Sequence, residues 1–412
     1  MNSSSFPTLP DAAFRLQSNP GAAREAPYGD AQLAVLSAQG LADARRCISG
    51  WPGYVPTPLV ELPGLAARLG IGAVYYKQEA ARFGLRSFKP LGGAYAVQRC
   101  LMRRVAEHQG VEDVSPESIL QREHADIVAQ LTVTAATDGN HGRSVAWGAR
   151  MFGCRCIIYI NEAVSAAREQ AIAVYGAQVR RHPGSFDDAV RKAFAMARDN
   201  GWEAIPDTSD GIVVEAPRDV TQGYAVMAAE AIEQLPRDAP PTHMFVQAGV
   251  GGMAGATCAE FWRQFASQRP CTVLVEPMQS ACWFESLLAG QPTAVTGDID
   301  SFMGGLSCGE VSTLAWPVLS IGADAAMVID DTVAAPTMQL LADGHAGDPP
   351  LVGGESGVAG LAGLIVAAQN SDARRTLGFK DNARVIVFGT EGATDEALYE
   401  RVVGRPWQEV CP

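Results

Sequence analysis

Short apolar segments alternate with amphipathic stretches along this chain from about residue 73 onward. Near-continuous apolar segments of this kind are typical of strands in parallel sheets, which helices cover on both faces. Strands are predicted at residues 74–78, 131–135, 156–160, 178–181, 244–247, 272–275, 326–329 and 385–388. Helices are predicted between them, among others at residues 93–105, 142–151, 165–175, 186–199, 220–233 and 253–264.

This alternation predicts an α/β fold. Because 412 residues exceed one small domain, we expect two lobes, each an open, mostly parallel twisted sheet covered by helices. The first fifty residues, rich in Ala, Ser, Pro and Gly, are expected to wrap the surface. No stretch resembles a flexible linker, so one lobe should be inserted into the other. We predict a large discontinuous domain of residues 1–103 and 235–412, with a small domain of residues 104–234 inserted.

Composition narrows the choice of partners. The net charge of −13 and the pI near 5.0 argue against nucleic acid or an anionic membrane as main partners. The sequence has no run of 18 or more apolar residues, so no membrane span is predicted. The polar segment 1–20 does not resemble a secretory signal, so a cytoplasmic location is expected.

The cysteines do not predict a metal site. There are nine, an odd number at irregular spacings, without a Cys-x-x-Cys pair or a histidine cluster. Cys154 and Cys156 lie in an apolar run, where alternation places both side chains on one face of a strand. That arrangement is more typical of a core than of a metal centre, and we expect no bound metal.

Lys89 is the first candidate for chemistry. Only four of the 32 basic residues are lysines, at positions 77, 89, 192 and 380. Arginine stays protonated in proteins, whereas a lysine amine can become neutral and nucleophilic and can form an imine. Lys89 stands between Phe88 and Pro-Leu-Gly-Gly, so a turn is expected to lead into a helix that begins near the amine. A surface lysine at a helix start is the alternative.

A glycine-rich turn is the second candidate. Gly249, Val250, Gly251, Gly252 and Met253 directly follow the predicted strand 244–247. Such a turn exposes backbone N–H groups at a helix N-terminus, where a phosphate binds. The spacing suits a cofactor with one phosphate as well as a dinucleotide, and Lys89 favours the former. Tight packing of a helix on the sheet is the alternative.

Two further polar groups follow predicted strands. Thr137, Asp138, Gly139, Asn140 and His141 come after residues 131–135, at the strand end where α/β lobes bind ligands. The Asn140 amide can donate to a phenolate oxygen and Asp138 adds a titratable group, although either residue can instead cap the helix.

Thr390 follows the last predicted strand, 385–388. A hydroxyl there can face a pyridine nitrogen. As a neutral partner it would leave that nitrogen largely unprotonated.

These motifs together resemble the fold type II pyridoxal-phosphate enzymes, the superfamily of tryptophan synthase β and threonine dehydratase, and within it the diaminopropionate ammonia-lyases. The likeness extends from about residue 54 to 395. It rests on Tyr-Val-Pro-Thr-Pro-Leu at 54–59, Arg-Phe-Gly-Leu-Arg-Ser-Phe-Lys-Pro-Leu-Gly-Gly at 82–93, Ala-Thr-Asp-Gly-Asn-His-Gly at 136–142, and further motifs at 247–253, 305–310, 354–357 and 390–395. The resemblance implies an active site in the cleft between the two lobes and a homodimer.

The resemblance also implies residue roles. Lys89 would bond to pyridoxal 5'-phosphate, Asn140 would contact its phenolic oxygen, residues 249–253 its phosphate, and Thr390 its ring nitrogen. Asp138 would take the α-proton of a D-substrate while Lys89 serves the L-form, and a second aspartate matches Asp207. The implied substrate-binding residues are Ser87, Thr137 and His141. Cys282 and Cys308 match positions that form a disulfide in some members, a bond that cytoplasmic conditions usually keep reduced.

The chain departs from the family pattern after Asp207 and Thr208. Ser-Asp-Gly-Ile-Val-Val-Glu at 209–215 replaces the expected Trp and Tyr, and the pattern resumes near residue 222. Arg86 and Ser87 also replace a more usual Asn-Ala pair. Arg86 is either a surface arginine or an extra cation for an acidic group on the substrate.

The implied reaction is the α,β-elimination of 2,3-diaminopropionate, in the D or L form, to pyruvate and ammonia. The β-amine must leave protonated, and Asp207 is the candidate acid, which requires a pKa raised by burial or a neighbouring carboxylate. A lyase or dehydratase of the same fold acting on another β-substituted amino acid is the alternative, motivated by the altered segment. A nucleotide-binding oxidoreductase or a non-catalytic sensor is a more remote one.

Overall fold

The computed structural model describes residues 13–411, apart from residues 138, 163, 185, 210 and 212. The strands are β1 Phe14–Ser18, β2 Leu59–Glu61, β3 Ala73–Gln78, β4 Thr132–Ala136, β5 Arg155–Asn161, β6 Gln178–His182, β7 Glu203–Ala204, β8 His243–Gln247, β9 Cys271–Pro277, β10 Ala325–Ile329 and β11 Arg384–Gly389.

The α-helices follow in chain order. They are α1 Asp30–Leu33, α2 Ala38–Ser49, α3 Pro63–Leu69, α4 Pro90–Gln109, α5 Pro116–Leu120, α6 Ala125–Val128, α7 Asn140–Phe152, α8 Ala166–Ala173, α9 Phe186–Asn200, α10 Glu215–Gln234, α11 Gly252–Phe265, α12 Cys282–Ala289, α13 Trp316–Gly322, α14 Ala334–Asp343, α15 Ala359–Gln369, α16 Ser371–Leu377 and α17 Glu396–Val403. Short 3₁₀ helices lie at Arg82–Gly84, Ala266–Gln268, Met278–Ser280, Gly304–Leu306, Asp331–Val333 and Trp407–Glu409. In the described part of the chain, no helix is long and apolar enough to cross a membrane.

The chain divides into two compact units. The first comprises the described residues of Met1–Ala34, Pro56–Ser87 and Met227–Pro412, and the second comprises Val35–Val55 and Phe88–Val226. The sequence-based boundaries differ from these units: they put residues 35–55 and 88–103 in the large domain and residues 227–234 in the small one. Helix α4 belongs to the second unit because it packs closely on α7: a Cβ on Gly148 would lie 2.8 Å from Ala94 Cα.

The first unit contains a seven-stranded sheet in the order β1-β10-β9-β8-β11-β3-β2. The five inner strands are parallel, and β1 and β2 are antiparallel at the two edges. The inner strands β3, β8 and β10 are buried along their whole length. Helix α15, which is apolar on every side, is buried against them except at its last residue. The carboxyl ends of the parallel strands therefore meet at one edge, where the glycine turn and Thr390 lie.

A buried ion cluster anchors the segment that precedes Lys89. Lys77 Nζ donates to Glu230 Oε2 over 2.9 Å, and Arg82 donates to Glu79 Oε2 over 2.7 Å and to Glu230 Oε2 over 2.6 Å. All four side chains are at most 1% exposed. The cluster contains two cations and two carboxylates. Buried charges of this kind are stable only when each one is paired with an opposite charge.

The second unit contains a four-stranded parallel sheet in the order β6-β5-β4-β7. Helix α7 follows β4 directly, and a Cβ on Gly142 would lie 2.2 Å from Thr137 Cγ2. Glycine at this position lets the first turn of α7 pack on the strand end. The carboxyl end of β4 therefore holds its polar residues in a fixed turn.

The sequence-based elements correspond closely to the observed ones. All eight predicted strands and all six predicted helices are confirmed, with boundaries that shift by a few residues. The described part of the first fifty residues does more than the expected wrapping of the surface, because β1 pairs with β10 and α2 buries residues such as Leu41 and Ile48. The edge strands β1 and β2 and the short β7 were not predicted, since none is a buried apolar run.

Candidate active site

Lys89 lies at the start of α4, the position that its flanking residues predict. It is the N-cap residue, Pro90 occupies the first turn, and the side chain is 22% exposed. Its Nζ donates to Asp207 Oδ2 over 2.7 Å. The rings of Phe88 and Tyr224 lie 5.5 and 5.8 Å from the same nitrogen. Lys89 is therefore a partly enclosed amine in contact with a carboxylate, which is unlike a surface lysine.

The other lysines occupy different environments. Lys77 is fully buried in the ion cluster, Lys192 is half-buried on α9, and Lys380 is exposed. A reactive amine needs both access to a small molecule and a neighbour that accepts its proton. Among the described contacts, Lys89 combines the two.

Asp207 is ionised in this arrangement. Burial raises the pKa of its carboxyl, but the Lys89 ammonium, His141 and hydrogen bonds outweigh burial and hold the pKa well below its usual range. The raised pKa that a general acid at this position would require is therefore absent from this geometry. The sequence argument considered burial and a neighbouring carboxylate, whereas the actual neighbour is a cation.

His141 is fixed in place by the backbone. Its ring is buried, Nε2 lies 2.7 Å from Ile205 O, and Nδ1 lies 3.9 Å from Asp207 Oδ2. A carbonyl oxygen only accepts hydrogen bonds, so Nε2 carries a proton and Nδ1 faces Asp207. The contact ties α7 to the segment that ends at Asp207.

Thr137 stabilises the turn that follows β4. Thr137 Oγ1 accepts from Gly139 N over 2.9 Å and from Gly142 N over 3.1 Å. Gly139 is the N-cap of α7 and Asn140 its first residue, so a capping role for Asn140 is wrong. Asp138 lies outside the described residues.

In the first unit, the glycine turn joins β8 to α11. Gly251 is the N-cap with φ of +100°, and a Cβ there would lie 2.4 Å from the Trp283 ring. Both facts require glycine at this position. Helix α11 begins at Gly252 and runs for 14 residues, so its first N–H groups lack intrahelical partners and favour an anion.

Thr390 has an orienting partner that sequence reasoning did not assign. Gln247 Nε2 donates to Thr390 Oγ1 over 2.7 Å and to Phe388 O over 2.8 Å. Both Gln247 and Thr390 are buried. Because Gln247 donates to the hydroxyl oxygen, the hydroxyl hydrogen is available for another acceptor. The only sequence signal was the polar residue at the end of β8.

The remaining candidates lie in the first unit. Ser87 is buried and pairs through its backbone with Glu391. Arg86 Nη1 donates to Ala393 O and to Glu396 Oε1, and the guanidinium lies 4.4 Å from the Trp407 ring centroid. These contacts favour a structural role for Arg86 over an extra cation for the substrate.

The nine cysteines are thiols, Cys282 and Cys308 among them. Cys282 Sγ is buried and lies 3.5 Å from Glu276 Oε1. In the described part of the chain, no group of three or more His, Cys, Asp or Glu side chains is placed to hold a metal ion.

Glu276 stabilises the glycine turn through Trp283. Its carboxyl accepts from Trp283 N over 2.8 Å and from Phe284 N over 2.7 Å, and Trp283 Nε1 donates to Gly249 O over 3.1 Å. Burial raises the pKa of Glu276 to about 8, more than these hydrogen bonds lower it.

The raised pKa of Glu276 predicts a pH-dependent stability. Between its ordinary value of 4.5 and about 8, the folded protein holds a proton that the unfolded chain has released. This group should therefore make stability fall as pH rises, by about 1.4 kcal/mol per pH unit inside that window. Glu276→Gln should flatten the profile, measured by urea unfolding from pH 5 to 9. The control is Glu285→Gln, which removes a partly exposed acid on α12, the helix whose first residues donate to Glu276. Equal slopes in Glu276→Gln and unmutated protein would contradict the prediction.

Comparison with known proteins identifies the family. A family model described as "Pyridoxal-phosphate dependent enzyme" matches residues 51–390. The chain belongs to this family. The diaminopropionate ammonia-lyase of Salmonella typhimurium is 37% identical over 361 residues, covering 85% of this chain and 89% of that protein. The Escherichia coli K12 enzyme of the same name is 36% identical over 365 residues, covering 87% and 90%.

A solved structure gives the same assignment. The crystal structure of the Escherichia coli diaminopropionate ammonia-lyase in complex with D-serine matches with a TM-score of 0.86 and 33% identity, covering 97% of this chain and 98% of that chain. The resemblance read from the sequence and the fold type II class are both confirmed.

The residues of this chain fit the family's cofactor. The second unit supplies a partly enclosed lysine amine in contact with a carboxylate. The first unit supplies a helix N-terminus preceded by a glycine turn, and a buried threonine hydroxyl held by Gln247. An aldehyde, a phosphate and a ring nitrogen need these three kinds of group. The chain is a pyridoxal-phosphate enzyme.

Proposed function

We propose that this protein catalyses the pyridoxal-phosphate-dependent elimination of ammonia from 2,3-diaminopropionate, which yields pyruvate and two molecules of ammonia with uptake of one water. The relatives at 36–37% identity carry this activity in their names. The observation that carries the proposal is the Lys89 Nζ–Asp207 Oδ2 contact of 2.7 Å, because the reaction needs a base for Cα and a proton for the leaving amine.

We assign the cofactor contacts by residue. Lys89 would bond to the aldehyde carbon, the amides of residues 249–253 would bind the phosphate, and Asn140 would donate to the phenolic oxygen. Thr390 would donate its hydroxyl hydrogen to the ring nitrogen, an orientation that the hydrogen bond from Gln247 supports. Bound pyridoxal phosphate supplies an electron sink that makes the Cα–H proton of an amino acid removable.

Proton movement depends on the Lys89–Asp207 pair. Lys89, freed as a neutral amine when the substrate's amino group takes its place, would remove the α-proton of an L-substrate and become an ammonium. Asp207, held as a carboxylate beside that ammonium, accepts the proton and delivers it to the departing β-amine. Asp207 thus acts as an acid only after receiving a proton from Lys89, and His141 keeps its carboxyl in position.

Asp138 carries a stereochemical prediction that rests on the resemblance. If it removes the α-proton of D-substrates, Asp138→Asn should lower D-isomer turnover by on the order of 10²-fold or more, the scale of a lost general base. Turnover of the L-isomer should persist, because Lys89 serves it. Separate kcat/KM measurements on the two isomers test this, and equal losses would assign Asp138 to cofactor binding or folding.

The decisive experiment for substrate identity is pyruvate release from a panel of β-substituted alanines. We expect diaminopropionate to have the largest kcat/KM, ahead of serine, threonine and β-chloroalanine. The alternative, elimination from another β-substituted amino acid, is motivated by the altered sequence at residues 209–215, where Ser209 Oγ donates to Val213 O over 2.8 Å. A larger kcat/KM for another member of the panel would replace diaminopropionate as the substrate.

We also propose a homodimer in the cytoplasm. Thiols at all nine cysteines suit a reducing compartment. The homodimer rests on the family resemblance. Sedimentation equilibrium and cell fractionation test the two statements separately.

A further inference from the structure

A polar cavity lies in the second unit, away from the residues assigned above. Its volume is 310 Å³, and its walls come from the start of α2, the middle of α4 and the first half of α10. Gly40 of α2 touches Gln222 of α10, since a Cβ on Gly40 would lie 2.6 Å from Gln222 Nε2. This close approach closes one side of the cavity.

Three arginines line this α2–α4–α10 cavity. They are Arg99 and Arg103 on α4 and Arg218 on α10. The Nε atoms of Arg99 and Arg218 are buried and have no hydrogen-bond partner among the described residues. A buried N–H without an acceptor costs free energy, so two such donors at one cavity offer a place for an added acceptor.

Three carboxylates lie beside the arginines of the cavity. Asp219 is buried and forms an ion pair with Arg103, with Nη1 2.8 Å from Oδ2, while Arg99 Nε is 3.8 Å from its other oxygen. The second carboxylate, Glu215, has a side chain that is 75% exposed, and its Oε2 lies 3.8 Å from Arg103 Nε. The third, Asp43, accepts from Gln39 over 2.8 Å. The lining therefore holds three arginines and three carboxylates, and the buried Nε–H groups of Arg99 and Arg218 are the donors left without an acceptor among the described residues.

We propose that the α2–α4–α10 cavity is a second, non-catalytic binding site for a small carboxylate anion. Arginine presents paired N–H donors that match the two oxygens of a carboxylate. The volume suits a three- or four-carbon acid, in the size range of an amino acid or a keto acid. Amino acids and keto acids share the carboxylate group, and the binding experiment distinguishes between the two classes of ligand.

Helices α4 and α10 connect this cavity to Lys89. The two helices are in backbone contact beside Lys89, since a Cβ on Gly223 would lie 1.9 Å from Leu91 O. Tyr224 of α10 contacts the Phe88 ring at 4.6 Å. Arg99 is ten residues beyond Lys89 on the same helix, roughly 15 Å along its axis. A ligand that draws Arg99 and Arg218 together changes the packing around Lys89; this part of the inference rests on the proposed function.

The test is equilibrium binding to the holoenzyme after borohydride reduction, which blocks the Lys89 site. Calorimetric titrations with pyruvate, alanine and inorganic phosphate distinguish a keto acid, an amino acid and a simple anion. We expect saturable binding of pyruvate or alanine, weakened about tenfold or more by Arg218→Gln and by Arg99→Gln, as for loss of a charged hydrogen bond. Arg191→Gln, whose side chain is 69% exposed on α9, should bind like the unmutated protein.

Several outcomes would overturn the proposal. No saturable binding, binding of phosphate alone, or equal loss in Arg191→Gln would each do so. Arg218→Lys, which keeps the charge, should retain part of the affinity, and melting curves establish that each variant is folded. If borohydride fails to label Lys89, the proposed function fails, but titration of the untreated protein still tests the cavity.

Discussion

Lys89→Ala is expected to abolish both the covalent attachment of pyridoxal phosphate and elimination from either isomer of diaminopropionate. Lys89 is the partly enclosed amine at the start of α4, whereas Lys77, which also contacts a carboxylate, is fully buried in the ion cluster. Turnover of the L-isomer should fall on the order of 10³-fold or more, because the variant loses the cofactor bond and a general base together.

The assignment is checked chemically before activity is measured. Borohydride reduction of the unmutated holoenzyme followed by peptide mapping should place the cofactor on Lys89. Lys192→Ala and Lys380→Ala, which remove lysines outside the proposed site, should leave labelling and activity unchanged. Label on Lys77, Lys192 or Lys380 instead would disprove the role of Lys89.

The local sequence was sufficient to predict Lys89 and the glycine turn. A rare lysine before Pro-Leu-Gly-Gly and a glycine turn after a buried strand are properties of contiguous residues. The structure adds a strained segment before Lys89, with left-handed φ of +50° at Phe83 and +57° at Arg86. Such strain persists only where the surroundings fix the backbone. Here the ion cluster holds Arg82, and Glu396 and Trp407 hold Arg86.

The partners of the site residues could not be predicted from local sequence. Gln247 meets Thr390 because β8 and β11 are neighbours in the sheet, although they are far apart in the chain. Asp207 lies 118 residues from Lys89, and only the family resemblance connected the two. The direction in which the pKa of Asp207 shifts could not be predicted for the same reason, since it depends on the charge of a neighbour that the local sequence does not identify.

The corrected protonation of Asp207 sharpens its expected role in catalysis. An acid with a raised pKa would hold its own proton at neutral pH, whereas a carboxylate beside an ammonium must receive one first. Loss of Asp207 then removes the group that carries the proton from Lys89 to the leaving amine. The effect should be confined to leaving groups that need a proton.

Asp207→Asn is therefore expected to lower elimination from L-diaminopropionate by on the order of 10²- to 10⁴-fold. Elimination from L-β-chloroalanine should fall far less, because chloride leaves without a proton. Asp199→Asn, which removes a 60% exposed carboxylate from the same unit, is the matched control. The measurement is kcat/KM for both substrates, with cofactor content determined for each variant. Equal loss on both substrates with the cofactor retained would make Asp207 a residue that positions Lys89. Loss of the cofactor as well would make it structural, because the carboxylate would then hold Lys89 and His141 in place and carry no proton.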